Sequence, residues 1–143
     1  MYNSDTGSEV FERAMALADE LNTTGQALHS DTMDFARRAP AIISTLLHEL
    51  RTLEPDWLDT EHERPGAPGV RELDEILALD PELALGVLPY GLGWWLFRGY
   101  DPSLGEAFRA EYKSAMRRAA RALRLGEREI LPFETEYNQF AQW

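Results

Sequence analysis

LPYGLGWWLFRGYDP, residues 88–102, places two adjacent tryptophans, a phenylalanine and three leucines among three glycines and two prolines, in a chain whose formal charge is −11. A helix that crosses a bilayer needs about 20 consecutive apolar residues. Here Glu82 and Arg98 bound only fifteen uncharged positions, interrupted by Gly86, Pro89, Gly91 and Gly93. The stretch therefore reads as a helix that is apolar on every side because neighbours cover it all round, the central element of a helical bundle. Each interior glycine costs roughly 1 kcal/mol relative to alanine, so the glycines require a packing reason. Gly86 and Gly93 are seven apart, on one helical face, where missing side chains let another backbone approach.

Start signals on either side extend this reading. Asp80-Pro81 and Asp101-Pro102 each offer an N-cap followed by proline at the first helical position. They predict one helix from Pro81 to about Gly99 and a second from Pro102 to about Leu125, joined by a tight turn at Gly99-Tyr100-Asp101. Upstream, Val10, Ala14, Leu17 and Leu21 recur at helical spacing and predict a helix over Ser8–Leu21, with Ser8 as N-cap and Asn22–Gly25 as terminator. From Ser30-Asp31, the stripe Phe35, Ala39, Ile42, Leu46, Leu50 and Leu53 predicts a longer helix with Pro40 as an internal kink. Val70, Leu73, Ile76 and Leu77 predict a short amphipathic helix.

Two stretches have no helical period. Residues 54–69, EPDWLDTEHERPGAPG, hold three prolines, two glycines and five acidic residues and read as an exposed loop. Residues 129–143 read as an extended C-terminal tail, set apart from a helical domain over 1–128. The expectation is an all-α protein, a small bundle of about four to five helices with that tail appended. At 143 residues with 44% hydrophobic content, one core of ordinary size is expected. With no cysteine there is no disulfide, thiolate metal site or cysteine nucleophile. The opening MYNSDTGSEVFERAMALADEL is acidic where a secretory signal is basic and apolar, so no targeting peptide is expected.

The acidic balance opposes generic phosphate binding. Its distribution is uneven: residues 101–128 hold seven of the fourteen Lys and Arg against Asp101, Glu106, Glu111 and Glu127, a local +3. Within the helix from Pro102, Arg109, Lys113, Arg117, Arg121 and Arg124 form a stripe beside the apolar face of Leu104, Phe108, Tyr112, Ala115, Met116, Ala119 and Leu123. Few acids sit at the i±4 positions that would neutralise it. An external anion, either phosphate or the acidic surface of a neighbouring subunit, would relieve the repulsion. In the tail, Ile130, Leu131, Phe133, Tyr137, Phe140 and Trp143 form a second candidate contact, since so many large apolar groups find cover only on a partner.

Catalytic and metal signatures fail in turn. His48-Glu49 lacks a second histidine, because position 52 is threonine, and His29 and His62 lie in separate loops. Asp56, Asp59, Glu61 and Glu63 lack the glycine and terminal glutamate of a calcium loop. No nucleophile elbow, phosphate-cradling loop or dinucleotide fingerprint occurs. No catalytic residue, cofactor or metal is assigned, and an enzyme is not expected.

VFERAMALADELNTTG, DTMDFARRAPAIISTLLHEL and LPYGLGWWLFRGYDPSLGEAFRAEYKSAM together resemble the small head-to-tail connector (adaptor, or head-completion) proteins of tailed bacteriophages and prophages. The positions that carry the likeness are Leu88, Pro89, Tyr90, Gly91, Leu92, Asp101, Pro102, Phe108, Glu111 and Tyr112. Trp94-Trp95 and the short proline-rich loop depart from the pattern. The resemblance implies a helical virion protein of the neck between capsid and tail, made in the host cytoplasm. It implies a homo-oligomeric ring, typically twelvefold, that docks on the portal protein and meets a downstream neck or tail protein. It further implies that genomic DNA passes through the channel without sequence-specific binding, and no membrane partner is expected. An acidic subunit suits a conduit that must not grip its cargo. The alternative reading is a small helical nucleic-acid-binding or regulatory protein that uses the basic helix 102–125. A third is a ligand-binding bundle with a pocket lined by Tyr90, Trp94 and Trp95.

Overall fold

The computed structural model describes residues 6–53 and 70–123. Among them are four helices of ten residues or more: α1 (Gly7–Leu17), α2 (Met33–Leu50), α4 (Leu88–Phe97) and α5 (Pro102–Leu123). A single four-residue turn of helix, α3 (Pro81–Ala84), precedes α4, and 3-10 turns at Ser30–Thr32 and Arg51–Leu53 flank α2. No strand occurs among the described residues, so the expected all-α bundle is what the chain forms. The tail of residues 129–143 and the acidic loop 54–69 lie outside the described residues.

The opening stretch is the centre of this bundle. α4 packs chiefly on α5 and is also touched by α1 and α2. Leu88, Pro89, Gly91, Leu92, Gly93, Leu96 and Phe97 are buried, and Tyr90, Trp94 and Trp95 are half-buried. Phe97, fully enclosed, meets Phe35 of α2 at 4.9 Å between ring centroids and stacks on Phe108 of α5 at 5.9 Å. No helix among the described residues is long and apolar enough to cross a membrane.

The helix expected from Pro81 to Gly99 is broken. α3 ends at Ala84, residues 85–87 form a turn, and α4 begins at Leu88. Pro89 explains the break, because it has no N–H to donate to Leu85 and its ring would strike that carbonyl inside a continuous helix. In the first turn of a new helix both objections vanish. Gly86 therefore belongs to an exposed turn, not to the face of Gly93. Gly91, Gly93 and Gly105 each admit a neighbouring element, as Gly7 admits Leu73. A Cβ on Gly91 would fall 2.8 Å from the Tyr112 ring and 2.9 Å from Leu46, and one on Gly93 2.5 Å from the Phe108 ring. One on Gly105 would fall 2.7 Å from Cα of Arg98, which is the close backbone approach.

Both Asp-Pro pairs act as read from the sequence. The Glu82 N–H donates to Asp80 Oδ1 at 2.9 Å, and the Leu104 N–H donates to Asp101 Oδ1 at 3.3 Å. α1 starts one residue before Ser8, at Gly7. Its cap is Thr6, whose hydroxyl accepts from the Glu9 N–H while Glu9 Oε1 accepts from the Thr6 N–H. It also stops four residues early: Asp19 adopts a left-handed conformation (φ 60°), and the N–H groups of Asp19 and Glu20 close back on the carbonyls of Ala16 and Met15. Leu17 and Leu21 are consequently left exposed.

Residues 70–77 are not a helix. The Leu73 carbonyl accepts from the Ser8 N–H at 2.7 Å, the Glu75 carbonyl accepts from the Gly7 N–H at 3.3 Å, and Thr6 forms an antiparallel bridge with Ile76. The segment thus satisfies the donors that the first turn of α1 leaves open, and its backbone is committed to that task. α2 runs unbroken through Pro40. Ser44, one turn on, ties Val70 to it: Ser44 Oγ accepts from the Val70 N–H at 2.8 Å.

Candidate interaction surface

α4 shows solvent one side, the strip of Trp94 and Trp95 between α2 and α5. The two indoles lie 5.6 Å apart, and each is overlaid by an arginine. Arg98, on the next turn after Trp95, sets its guanidinium 3.8 Å from the centre of that ring. Arg109, from α5, stands 5.7 Å from the Trp94 ring. A cation over an indole face contributes about 0.5–1 kcal/mol where solvent is present, and it keeps a positive charge on an aromatic platform. The far side of Trp94 meets Tyr112 at 6.0 Å.

Tyr112 anchors this strip. Its ring fills the notch at Gly91, and its hydroxyl donates to Glu49 Oε1 of α2 at 2.5 Å. Burial, and next the hydrogen bond and negative charge of Glu49, push the phenol well above its ordinary range. The proton stays on Tyr112, where the bond to Glu49 needs it.

Beside Trp95 lies an open cleft of about 990 Å³ between the first half of α2 and the end of α4. Phe35, Ile42, Trp95 and Tyr100 give it apolar walls, and Arg38, Arg98, Glu20, Asp31 and Asp34 supply its charged lining. Tyr100 is 66% exposed. Arg38 pairs with Asp34 at 3.3 Å, and Arg109 with Glu106 at 3.7 Å. Both pairs are exposed, a setting in which an ion pair contributes about 0–1 kcal/mol and exchanges readily for a better partner. The pocket expected from Tyr90, Trp94 and Trp95 is not this one. Only Trp95 lines the cleft, because Trp94 faces α5.

Of the basic stripe, Arg109 and Arg117 are half-buried, and Lys113 and Arg121 are exposed along one flank of α5. Arg109 is the member the fold joins to the tryptophans. Arg124, Ile130, Leu131, Phe133, Tyr137, Phe140 and Trp143 lie outside the described residues. Arg98 and Tyr100 were not singled out by the sequence reading. The spacing of Trp95 and Arg98, three residues apart on a helix, was a usable signal for one of them.

No group of three or more potential metal ligands gathers among the described residues. His29 is engaged structurally, with Nε2 2.7 Å from the Glu20 carbonyl oxygen and Nδ1 accepting from the Asp31 N–H. His48 is exposed on α2.

Compared with protein-family models, with curated proteins and with solved structures, the chain finds no match in any of the three.

Proposed function

We propose that this chain is a structural virion protein, a head-to-tail connector that docks on a phage portal as a ring and forms part of the DNA channel. The observation that carries the reading is that the segment bearing the resemblance, residues 88–102, organises the whole bundle and displays an arginine-backed tryptophan pair on its one open side. Large aromatic and arginine side chains in this arrangement are the groups from which protein–protein contacts draw most of their energy. The cleft beside it is open, as suits an interface. In a ring, one surface of each copy meets a different surface of the next. A chain of net charge −11 whose last described helix carries five cations against two carboxylates has the asymmetry such a contact requires.

The test is co-assembly. The purified chain, mixed with the portal protein encoded beside it, should form particles with ring symmetry in negative-stain images, and its gene should lie between capsid and tail genes. A chain that binds no portal would sink the reading.

The second reading, nucleic-acid binding through α5, draws on the exposed Lys113, Arg118 and Arg121. It predicts a gel shift at low salt that fades steeply as salt rises.

A further inference from the structure

A surface away from the residues of the tryptophan strip has its own chemistry. Residues 71–76 lie against the first turn of α1, held there by the Leu73 and Glu75 carbonyls and the bridge from Thr6 to Ile76. Ile76 is 64% exposed, although its position in the sequence reads as core. Glu72 and Asp74 beside it are exposed, Glu9 of α1 is half-buried, and Arg71 is the one cation on the segment. This is an apolar knob with a carboxylate rim. The strip on α4 and α5 is its complement: Trp94 and Trp95 as apolar floor, Arg98 and Arg109 over them, and Lys113 exposed one turn after Arg109 on the same helix. Among the described residues neither Arg98 nor Lys113 has a carboxylate partner.

We propose that the 71–76 knob of one copy docks on the Trp94–Trp95 strip of the next, with Ile76 against the indoles and the carboxylates of Glu72 and Asp74 facing Arg98 and Lys113. The occupant is a second copy of this chain, and the argument is the match of charge and apolar surface between two different faces of one subunit. Because the faces differ, the contact is head to tail and propagates into a ring or a filament. The incoming carboxylates favour the Arg98 and Lys113 end of the strip over Glu20, Asp31 and Asp34, which line the cleft beside Trp95 and repel them. The proposal deepens the connector reading and rests on its claim of self-assembly.

The experiment is a charge swap on the full chain. Arg98, Lys113, Glu72 and Asp74 are all exposed, so reversing them leaves the core untouched; circular dichroism and melting curves verify this. Light scattering and sedimentation velocity of the wild type should show concentration-dependent assembly that weakens with salt. The Arg98→Glu/Lys113→Glu chain and the Glu72→Lys/Asp74→Lys chain should each need roughly a hundredfold higher concentration to associate, and their equimolar mixture should recover to within about tenfold of wild type. The Arg13→Glu/Arg37→Glu chain, which makes the same net charge change on other exposed positions, should assemble as wild type does. The proposal is overturned by a wild type that stays monomeric, by reversed chains that assemble normally, by a folded mixture that stays apart, or by a control that also fails. Portal binding is scored separately: a successful swap with no portal bound refutes the connector reading alone, and the reverse pattern refutes this interface alone.

Discussion

Gly93 of α4 lies directly under the ring of Phe108 of α5, so close that a Cβ on Gly93 would stand 2.5 Å from the ring's Cδ1. Phe108 in turn stacks at 10° on Phe97. A methyl group at position 93 therefore displaces two buried rings. Gly93→Ala should lower stability by roughly 1–3 kcal/mol from overpacking, partly offset by about 1 kcal/mol of better helix propensity. Gly105→Ala, where the obstacle is the backbone of Arg98, should cost at least as much. Gly99→Ala meets no atom within 4 Å and should be neutral or stabilising by about 0.4–1 kcal/mol. Denaturant unfolding of the three variants checks the order, and equal effects at all three positions would contradict it.

Tyr112 gives stability a dependence on alkaline pH. The folded state holds its phenol protonated well above the ordinary value of 10.0. Above that pH the unfolded chain has lost a proton that the folded chain keeps. Its contribution is thus fully present below pH ~10 and declines as pH rises further, by at most about 1.4 kcal/mol per pH unit. Tyr112→Phe should remove this part of the decline. Below pH 9 it should cost about 0.5–1.5 kcal/mol, because the hydrogen bond to Glu49 is lost. Unfolding free energies of wild type and variant at pH 8 and pH 11 provide the comparison.

Ser44→Ala removes the acceptor of the Val70 N–H, and Val70 is 8% exposed. The same hydroxyl has one proton to give, shared between the carbonyls of Pro40 and Val70 at 2.9 and 3.0 Å. An unsatisfied buried donor costs about 1–3 kcal/mol. Amide hydrogen exchange at Val70 should accelerate in proportion, while exchange in α5 stays as it was.

Thr6→Ala deletes one half of a capping box and should cost about 0.5–2 kcal/mol. Thr6→Ser should recover most of the loss. A Ser8→Ala change should cost less, since that hydroxyl only supplements its own backbone N–H on the Leu73 carbonyl. Thermal melts of the three variants decide which residue caps α1.

Ile76→Glu should leave thermal stability within about 0.5 kcal/mol of wild type, the range of surface substitutions. A larger loss would show that Ile76 belongs to the core of its own subunit.

The sequence by itself determined the bundle. The apolar periods of Val10–Ala14, Phe35–Leu50 and Phe108–Ala119 are long enough to announce which helix faces are buried, and the aspartates before Pro81 and Pro102 mark helix starts through purely local chemistry. The all-round apolarity of residues 88–97 was enough to place that helix at the centre. The departures have two causes: a distant backbone that outbids a local pattern, and a local break, as at Pro89 or at Asp19, that interrupts an apolar period. Val70–Leu77 has helical spacing but turns its carbonyls to α1, and Ile76 ends in solvent. Gly86 and Gly93 share a face only on a helix that Pro89 does not allow. The interaction surface was half legible: the cationic stripe of α5 follows from periodicity within one helix. That Arg109 stands over Trp94, that Arg98 joins the same strip, and that the acidic segment 71–76 lies against the first turn of α1 depend on which elements lie side by side. That order is decided by side chains fitting glycine notches, a property of pairs of elements that no single stretch of chain contains.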